Sequence, residues 1–319
     1  MKKKNIKRVA TKSVKKEKVK VVVTGGAGFI GSHLTASLLV AGYDVHVVDN
    51  LSGGKRERVH PKATFHNVDI VDASALPPIF AGARYVFHLA ALPRVQFSIE
   101  HPFESHAANS TGTLNVLVAA TAAKVQRVIY SASSSAYGDQ PVLPLVETMP
   151  ASPKSPYGLQ KYVGELQCRL WSSVFGLETV SLRYFNVYGP WQDPDGAYAL
   201  VIGKFLKQRK LGEPITITGD GSQTRDFTHV SDVVRANMLA AVSKKVGRGE
   251  VMNIGAGRNC SINDVASAIG GPVVHIPARL EPRDTLADST LAYTLIGWKP
   301  KVRFEKGIAQ LRRIYGIKG

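Results

Sequence analysis

Short runs of β-branched and other apolar residues alternate with longer stretches of helical periodicity through the first half of the chain. The apolar runs predict strands at residues 20–24, 44–48, 64–68, 85–89, 127–131 and 179–183. The stretches between them predict helices, and the clearest of these lie at 28–41, 113–124 and 157–175. Such alternation favours an α/β fold built on a doubly wound parallel sheet.

The pattern changes after residue 186, where loop signals rich in glycine and proline flank one predicted helix at 199–209. A further apolar run at 251–254 precedes Gly-Ala-Gly and predicts a strand that returns to the first sheet. We therefore expect two interwoven lobes. The first comprises residues 19–185 with about 227–258, and the smaller C-terminal lobe comprises 186–226 and 259–319.

The first predicted strand leads into a turn that carries Gly25, Gly28 and Gly31. In a strand–turn–helix unit, these glycines permit a tight bend, close approach of a pyrophosphate and close packing of the helix on the strand. The second strand ends in Asp49, about 20 residues further on, where an acid binds the adenosine ribose. Because this carboxylate repels a 2′-phosphate, the sequence predicts a site for NAD rather than NADP.

Net charge is the most unusual feature of the composition, at +17 over 319 residues. More than half of this excess falls within the first 20 residues, which include ten Lys or Arg and one Glu. We expect residues 1–18 to form a basic flexible arm. Basic and aromatic residues are not interleaved as in a nucleic-acid-binding motif, so we expect no specific nucleic-acid partner.

Cysteine content and hydropathy restrict the class of protein further. The two cysteines, Cys168 and Cys260, form no disulfide framework and have no metal-ligand spacing, so we expect no metal site. No apolar run approaches the roughly 20 residues that a membrane-spanning helix requires. The sequence therefore predicts a cytoplasmic enzyme without a membrane partner.

A second chemical motif follows at the start of the helix predicted over 157–175. Ser155 and Pro156 suit the N-cap and the first helical position, which places Tyr157 and Lys161 on one face. A nearby ammonium stabilises a phenolate, so Tyr157 could act as a base. An ordinary surface pair is the alternative, since this spacing is common.

Three consecutive serines, 133–135, follow the strand predicted at 127–131. One of their hydroxyls could bond the substrate oxygen that a tyrosine base deprotonates. Capping and turn formation are the competing explanation for some of these serines.

Together these motifs resemble the extended short-chain dehydrogenases/reductases, and within them the nucleotide-sugar 4-epimerases that act on UDP-hexoses. The matching segments are 24–31, 69–70, 88–91, 137–138, the Tyr157/Lys161 pair, 183–189 and 225–227. The resemblance extends from about residue 19 to the end of the chain. It implies a Rossmann-type, NAD-binding first lobe and a nucleotide-sugar-binding second lobe.

The resemblance also implies roles for individual residues. It makes Ser133, Tyr157 and Lys161 catalytic, and Asn109 a support for the catalytic helix. The NAD contacts that it implies are Gly25, Gly28, Phe29, Ile30, Gly31, Asp49, Asn50, Asp69, Ile70, Leu89, Ala90, Ala91, Asn109, Tyr157, Lys161 and Tyr184. The implied substrate contacts are Ser133, Ser134, Asn186, Val201, Thr216, Thr218, Arg225 and Arg283.

The reaction implied is inversion at C4 of a UDP-sugar through a transient 4-keto intermediate. A 4,6-dehydratase or a decarboxylase of the same superfamily is the alternative, but Ser134 and Ser135 occupy the positions where such enzymes carry acids. A non-catalytic NAD-binding regulatory protein is a third possibility.

By resemblance, Thr285 occupies the position where a bulky residue excludes an N-acetyl group. A small residue there predicts UDP-GlcNAc and UDP-GalNAc as substrates, with UDP-Glc and UDP-Gal as a second pair.

The resemblance finally implies a homodimer with a four-helix interface formed by residues 110–124 and 157–175. Apolar residues on these helices include Leu114, Leu117, Val118, Val163, Leu166 and Leu170. They would equally suit packing on the sheet.

Overall fold

The chain forms a parallel sheet covered by helices on both faces, as the alternation of strands and helices predicts. The computed structural model describes residues 18–192, 201–277 and 283–317. Its strands are β1 (Lys20–Thr24), β2 (Asp44–Val48), β3 (Thr64–His66), β4 (Tyr85–His88), β5 (Arg127–Ser133), β6 (Glu178–Tyr184), β7 (Val187–Tyr188), β8 (Ile215–Thr218), β9 (Thr224–Asp226), β10 (Thr228–His229), β11 (Arg248–Ile254), β12 (Asn259–Ser261) and β13 (Val273–Ile276).

Helices follow most of the strands. They are α1 (Phe29–Val40), α2 (Leu76–Phe80), α3 (Val95–Glu100), α4 (Pro102–His106), α5 (Gly112–Ala122), α6 (Pro156–Phe175), α7 (Val201–Leu211), α8 (Val230–Val242), α9 (Ile262–Ile269), α10 (Thr290–Ile296) and α11 (Phe304–Tyr315). Two 3-10 turns lie at Arg56–Arg58 and Ser134–Ala136, and a π turn at Ala107–Thr111 joins α4 to α5.

Seven of the described strands form the central sheet in the order β11-β6-β5-β4-β1-β2-β3, and every pairing in it is parallel. The strand order reverses between β1 and β4, where open parallel sheets bind their ligands beyond the carboxyl ends of the strands. The return of the chain to this sheet is confirmed, because β11 pairs with β6. The predicted fold class is confirmed as well.

Alternate residues of β1 belong to different hydrophobic cores. Val21 and Val23 pack in the core beneath α1 and α8, and Val22 packs in the opposite core beneath α2 and α5. A third core lies among α7, α9, α11 and β8, away from the central sheet. The exact residue boundaries of the two lobes stay a prediction.

Several sequence predictions fall on residues outside the described ranges. These are the basic arm, apart from Lys18, and the first two residues of the helix predicted at 199–209. Within the described ranges, no helix is both long and apolar enough to cross a membrane.

A buried arginine joins the starts of β5 and β6 to the end of α8. Arg127 is 3% exposed, and its Nε donates to Glu178 Oε2 at 2.9 Å. Its other donors bond carbonyls at and beyond the end of α8, namely those of Ala240, Ala241, Ser243 and Val246. The last carbonyls of a helix have no partner within the helix. Arg127 therefore satisfies groups that would otherwise be buried without donors.

We expect Arg127→Met to lower the free energy of unfolding by about 3 kcal/mol, because it leaves a carboxylate and several carbonyls without their donor. Urea unfolding monitored by circular dichroism measures the difference. The matched control is Arg84→Met, on an exposed arginine that precedes β4. It should change the free energy by no more than about 0.5 kcal/mol. Equal losses in both variants would contradict this role for Arg127.

Candidate active site

The glycine turn between β1 and α1 has no room for side chains. Gly25 has a φ of +72°, and a Cβ there would lie 2.6 Å from the Ala90 nitrogen. A Cβ on Gly31 would lie 2.1 Å from the Gly25 oxygen. Gly28 is the N-cap of α1, and no side chain among the described residues caps that end. The start of α1, at Phe29 and Ile30, is therefore suited to an anion such as a pyrophosphate.

Asp49 follows β2 and is hydrogen-bonded to the same turn. Its Oδ2 accepts from the Ala27 nitrogen at 2.9 Å, and its Oδ1 accepts from the Leu51 nitrogen at 2.8 Å. Burial raises the pKa of Asp49, while the two backbone bonds act in the opposite direction. The carboxylate thus orders the turn as well as lying where a ribose-binding acid is expected.

Asn50, Asp69 and Ile70, which the resemblance places among the NAD contacts, lie close together beyond the ends of β2 and β3. Asn50 Nδ2 donates to Asp69 Oδ2 at 2.8 Å, and Asp69 Oδ1 accepts from the Val71 nitrogen at 2.9 Å. Ile70 is buried and contacts Gly112 closely enough to exclude a Cβ there. This group and the glycine turn fit the adenosine half and the pyrophosphate of a dinucleotide such as NAD.

Asn109 connects the loop after β4 with the catalytic helix. It lies in the π turn, and its amide bonds both backbone groups of Leu92, at 2.7 and 3.0 Å. Its Nδ2 also donates to Gln160 Oε1 at 2.8 Å, within α6. A π turn interrupts regular helix geometry and is frequent at functional sites. Asn109 is therefore placed to support α6, as the resemblance implies.

A buried imidazole joins the same loop to β1 and α5. The Ala90 nitrogen donates to Thr24 Oγ1, which lies 2.8 Å from His88 Nδ1. His88 Nε2 lies 3.0 Å from Thr113 Oγ1, whose proton goes to the Asn109 carbonyl. His88 must therefore carry its proton on Nε2 and accept at Nδ1. Burial, helped by the Lys161 charge, lowers the pKa of His88 to about 3.

Helix α6 begins where the sequence predicts. Ser155 Oγ accepts from the Gly158 nitrogen at 3.1 Å as N-cap, and Pro156 is the first helical residue. The Tyr157 nitrogen donates to Ser98 Oγ at 3.1 Å. Two glycines bring the helix close to β5 and the turn after it. A Cβ on Gly158 would lie 2.8 Å from the Ser135 oxygen, and one on Gly164 would lie 2.2 Å from the Tyr130 hydroxyl.

The three predicted catalytic side chains converge at the end of β5. Tyr157 hydrogen-bonds Ser133, which lowers the pKa of the phenol, although burial of the ring is the larger effect and raises it. Lys161 Nζ donates to the Ser131 carbonyl at 2.9 Å. Burial lowers the pKa of Lys161 to about 8, while the Glu165 carboxylate one turn later acts to raise it.

Tyr184, the last residue of β6, lies beside the predicted catalytic residues. Its hydroxyl lies 3.0 Å from Ser131 Oγ and bonds both amide atoms of Asn237 on α8. The hydroxyl is thus engaged by the protein. A cofactor contact at Tyr184 would come from its backbone or its ring.

Three of the eight predicted substrate residues, Asn186, Arg225 and Arg283, gather around β9. Asn186 Nδ2 donates to the Asp226 carbonyl at 3.3 Å and lies 3.4 Å from Thr285 Oγ1. Arg225 Nη1 donates to the Arg283 carbonyl at 3.0 Å, so the two predicted arginines are neighbours. The Arg283 side chain is 83% exposed. This cluster places two cations and an amide where a diphosphate could bind.

The other predicted substrate residues lie apart from this cluster. Ser134 begins the 3-10 turn after Ser133, and Val201 packs on the third core. Thr216 Oγ1 accepts from Gln208 Nε2 at 3.0 Å, within the second lobe. The Thr218 carbonyl accepts from Gln223 Nε2 at 2.9 Å, next to the start of β9.

Three residues outside the predicted site, and Thr285 of the predicted specificity position, support its members. Gln160 bonds Asn109, Ser98 bonds the Tyr157 nitrogen, and Asp226 and Thr285 contact Asn186. Gln160 falls between the tyrosine and the lysine of the recognised motif, and Asp226 directly follows Arg225. Ser98 carries no sequence signal, because its role depends on a contact 59 positions along the chain.

Comparisons with known proteins identify the family of the chain. Residues 21–255 match the model of the NAD dependent epimerase/dehydratase family. A UDP-glucose 4-epimerase of Mycolicibacterium smegmatis is 36% identical over 307 residues, which cover 92% of this chain and 97% of that protein.

Two solved structures resemble the whole fold. UDP-glucose 4-epimerase of Thermotoga maritima, determined with UDP-glucose, is 40% identical with a TM-score of 0.88 and covers 93% of this chain and 98% of its own. UDP-N-acetylglucosamine 4-epimerase of Methanobrevibacter ruminantium, in complex with UDP-N-acetylmuramic acid, is 36% identical with a TM-score of 0.88 and the same coverage. The chain therefore belongs to the NAD dependent epimerase/dehydratase family, which confirms the NAD cofactor and the epimerase type of enzyme predicted from the sequence.

Proposed function

We propose that the protein is a UDP-sugar 4-epimerase that inverts C4 through a transient 4-keto sugar. The observation that carries the proposal is the Ser133–Tyr157 hydroxyl pair, which lies at the same edge of the sheet as the glycine turn. Lys161 lies one helical turn from Tyr157, and a cluster suited to a diphosphate lies around β9. The related epimerases of known structure support a UDP-sugar as substrate.

In this proposal Tyr157 takes the proton of the C4 hydroxyl and later returns one. Ser133 hydrogen-bonds the same oxygen, which keeps it within reach of the phenol. The Lys161 ammonium favours the phenolate form of Tyr157. Bound NAD supplies the chemistry of hydride acceptance and return. Asn186, Arg225 and Arg283 hold the diphosphate while the sugar turns its other face towards the cofactor. The sugar can turn only if the nucleotide part of the substrate is bound more tightly than the sugar.

The residues after Ser133 argue against dehydration or decarboxylation. Both reactions need a further acid or base beside the oxidised sugar, whereas Ser134 and Ser135 occupy those positions. Ser135 Oγ accepts from Ser133 Oγ at 3.0 Å, so it belongs to the hydroxyl network. Neutral hydroxyls of this kind are poor acids and bases at neutral pH.

The substrates that we propose are UDP-GlcNAc and UDP-GalNAc, with UDP-Glc and UDP-Gal as a second pair. Thr285 supports this choice because its small side chain lies 3.4 Å from the Asn186 amide, beside the proposed diphosphate site. A small residue there leaves space for an N-acetyl group.

We also propose a homodimer formed through α4, α5 and α6. Leu117 packs in the core, whereas Val118, Leu166 and Leu170 are exposed. Neighbouring apolar side chains on the same helices are exposed as well, namely Phe103, Leu159, Val174 and Phe175. Exposed apolar side chains on neighbouring helices, as here on α4, α5 and α6, are typical of a protein interface.

The activity test incubates the purified protein, without added NAD, with each of the four UDP-sugars and separates the products by chromatography. We expect interconversion within at least the N-acetylhexosamine pair. Tyr157→Phe should lower kcat by a factor of 100 or more, in the range for general acid–base catalysis. Tyr162→Phe, on the same helix and half-buried, is the matched control and should stay close to the parent.

Conversion of neither sugar pair would overturn the epimerase proposal. Release of carbon dioxide from a UDP-uronic acid would indicate a decarboxylase instead. Full activity of Tyr157→Phe would refute the proposed role of the phenol.

The pH dependence of kcat tests the role of Lys161. Because burial lowers the pKa of this lysine to about 8, the ammonium is present below that pH and is lost as the pH rises through it. We expect kcat to fall above about pH 8 as the phenolate loses its neighbouring charge. Lys161→Arg keeps its charge, so any activity that it retains should not show this decline. A parent profile that stays flat into strong alkali would contradict the role.

The dimer is tested by sedimentation equilibrium. We expect the parent to be dimeric and Leu170→Glu to shift the equilibrium towards monomer, because the charge would be buried in the interface. Val40→Glu, at an 89% exposed position at the end of α1, is the control and should remain dimeric. A monomeric parent would refute the interface.

A further inference from the structure

Asp226, the last residue of β9, is a fully buried carboxylate that accepts three backbone hydrogen bonds. Its Oδ1 accepts from the Ala256 nitrogen at 2.7 Å. Its Oδ2 accepts from the nitrogens of Gly257 and Ala287, at 3.0 and 3.1 Å. Both oxygens are therefore engaged. A charge buried in this way is retained only where such bonds replace its hydration.

The three bonds join β9 to two other parts of the chain. Ala256 and Gly257 follow β11, the edge strand of the central sheet, and Ala287 belongs to the stretch that begins at Arg283. These parts pack tightly, since a Cβ on Gly255 would lie 2.3 Å from the Ala287 Cβ. The Asp226 backbone carbonyl also accepts from Asn186 Nδ2.

The three residues proposed to hold the diphosphate are all linked to Asp226, although Asn186 contacts its backbone carbonyl and not its carboxylate. Arg225 precedes Asp226 in β9, and Arg283 lies on the stretch that Asp226 holds through Ala287. The central sheet carries Ser133 at the end of β5, two strands from β11. Asp226 therefore connects the diphosphate cluster to the sheet that carries Ser133.

We propose that Asp226 is a positioning residue for substrate binding, which fixes the two arginines relative to the sheet without touching the substrate. This inference rests on the proposed function only in taking a nucleoside diphosphate as the ligand. It assigns to Asp226 a role in affinity rather than in the chemical steps.

The neighbouring acid Asp284 offers a control of equal charge. Its Oδ1 alone accepts from Thr224, through the backbone nitrogen at 3.0 Å and the hydroxyl at 2.6 Å. An asparagine at 284 retains such an oxygen and can keep both bonds. An asparagine at 226 cannot, because its amide group must face at least one N–H donor, whichever way it is turned.

The experiment compares Asp226→Asn with Asp284→Asn. Each removes one negative charge near Arg225 and Arg283, which by electrostatics alone would strengthen binding of an anion. We expect Asp226→Asn to raise KM for the UDP-sugar roughly tenfold or more, since loss of one such interaction costs about a factor of ten. Its kcat and NAD content should be unchanged, because the lost interaction binds the substrate and the transition state equally. Asp284→Asn should leave KM within about threefold of the parent, since its two bonds to Thr224 are kept and its 3.8 Å ion pair with the exposed Arg283 contributes little.

Calorimetry with UDP gives a second readout that needs no turnover, so the inference can be tested even if the parent converts none of the four sugars. An unchanged UDP affinity in Asp226→Asn, or an equal loss in both variants, would overturn the positioning role. A lower melting temperature with unchanged KM would show a purely structural role and would also overturn it.

If Asp226→Asn does not fold, hydrogen exchange on the parent decides the question. UDP should slow exchange at Ala256, Gly257 and Ala287 together with β9. Protection of β9 without the turn after β11 would refute the connection.

Discussion

The close packing of α6 on β5 is the constraint on which the site depends. Gly158 brings the helix close to the turn after β5, and Gly164 brings it close to the Tyr130 side chain on β5. Lys161 completes the contact through the Ser131 carbonyl. Because Tyr157 extends from this helix and Ser133 from this strand, their hydrogen bond is a consequence of backbone proximity. The geometry of the proposed catalytic pair is thus set by a helix and a strand of the core.

A buried ion pair also holds the same helix to β6, the strand next to β5. Arg183 on β6 donates to both oxygens of Glu165, at 2.8 and 2.7 Å, and neither side chain is more than 4% exposed. The Arg183 guanidinium also lies 4.4 Å from the centre of the Tyr137 ring. The pair fixes α6 along its length, and the Glu165 carboxylate acts on the Lys161 ammonium one turn earlier. Glu165 therefore both holds the helix to the sheet and influences the charge of Lys161.

Much of this arrangement could be predicted from the sequence. The features that could not be predicted depend on contacts between residues far apart in the chain. The predicted ends of β1 and β2 coincide with the observed ones, whereas β5 continues two residues further, to Ser133. Periodicity describes local structure, so it identifies strands and the cap at Ser155. It cannot reveal the π turn at Asn109, because that turn depends on contacts with Leu92 and Gln160. The role of Asp226 likewise arises from partners 30 and 61 positions away.

The neutral imidazole of His88 has a consequence for the acid tolerance of the whole fold. An unfolded histidine binds its proton near pH 6.5, but the pKa of this one in the folded chain is about 3. Between these two pH values His88 binds a proton in the unfolded chain but not in the folded chain. Acidification through that window therefore favours unfolding, by about 1.4 kcal/mol for each pH unit from this side chain alone. The hydrogen bonds of neutral His88, which order the loop after β4, therefore make the fold less stable in acid.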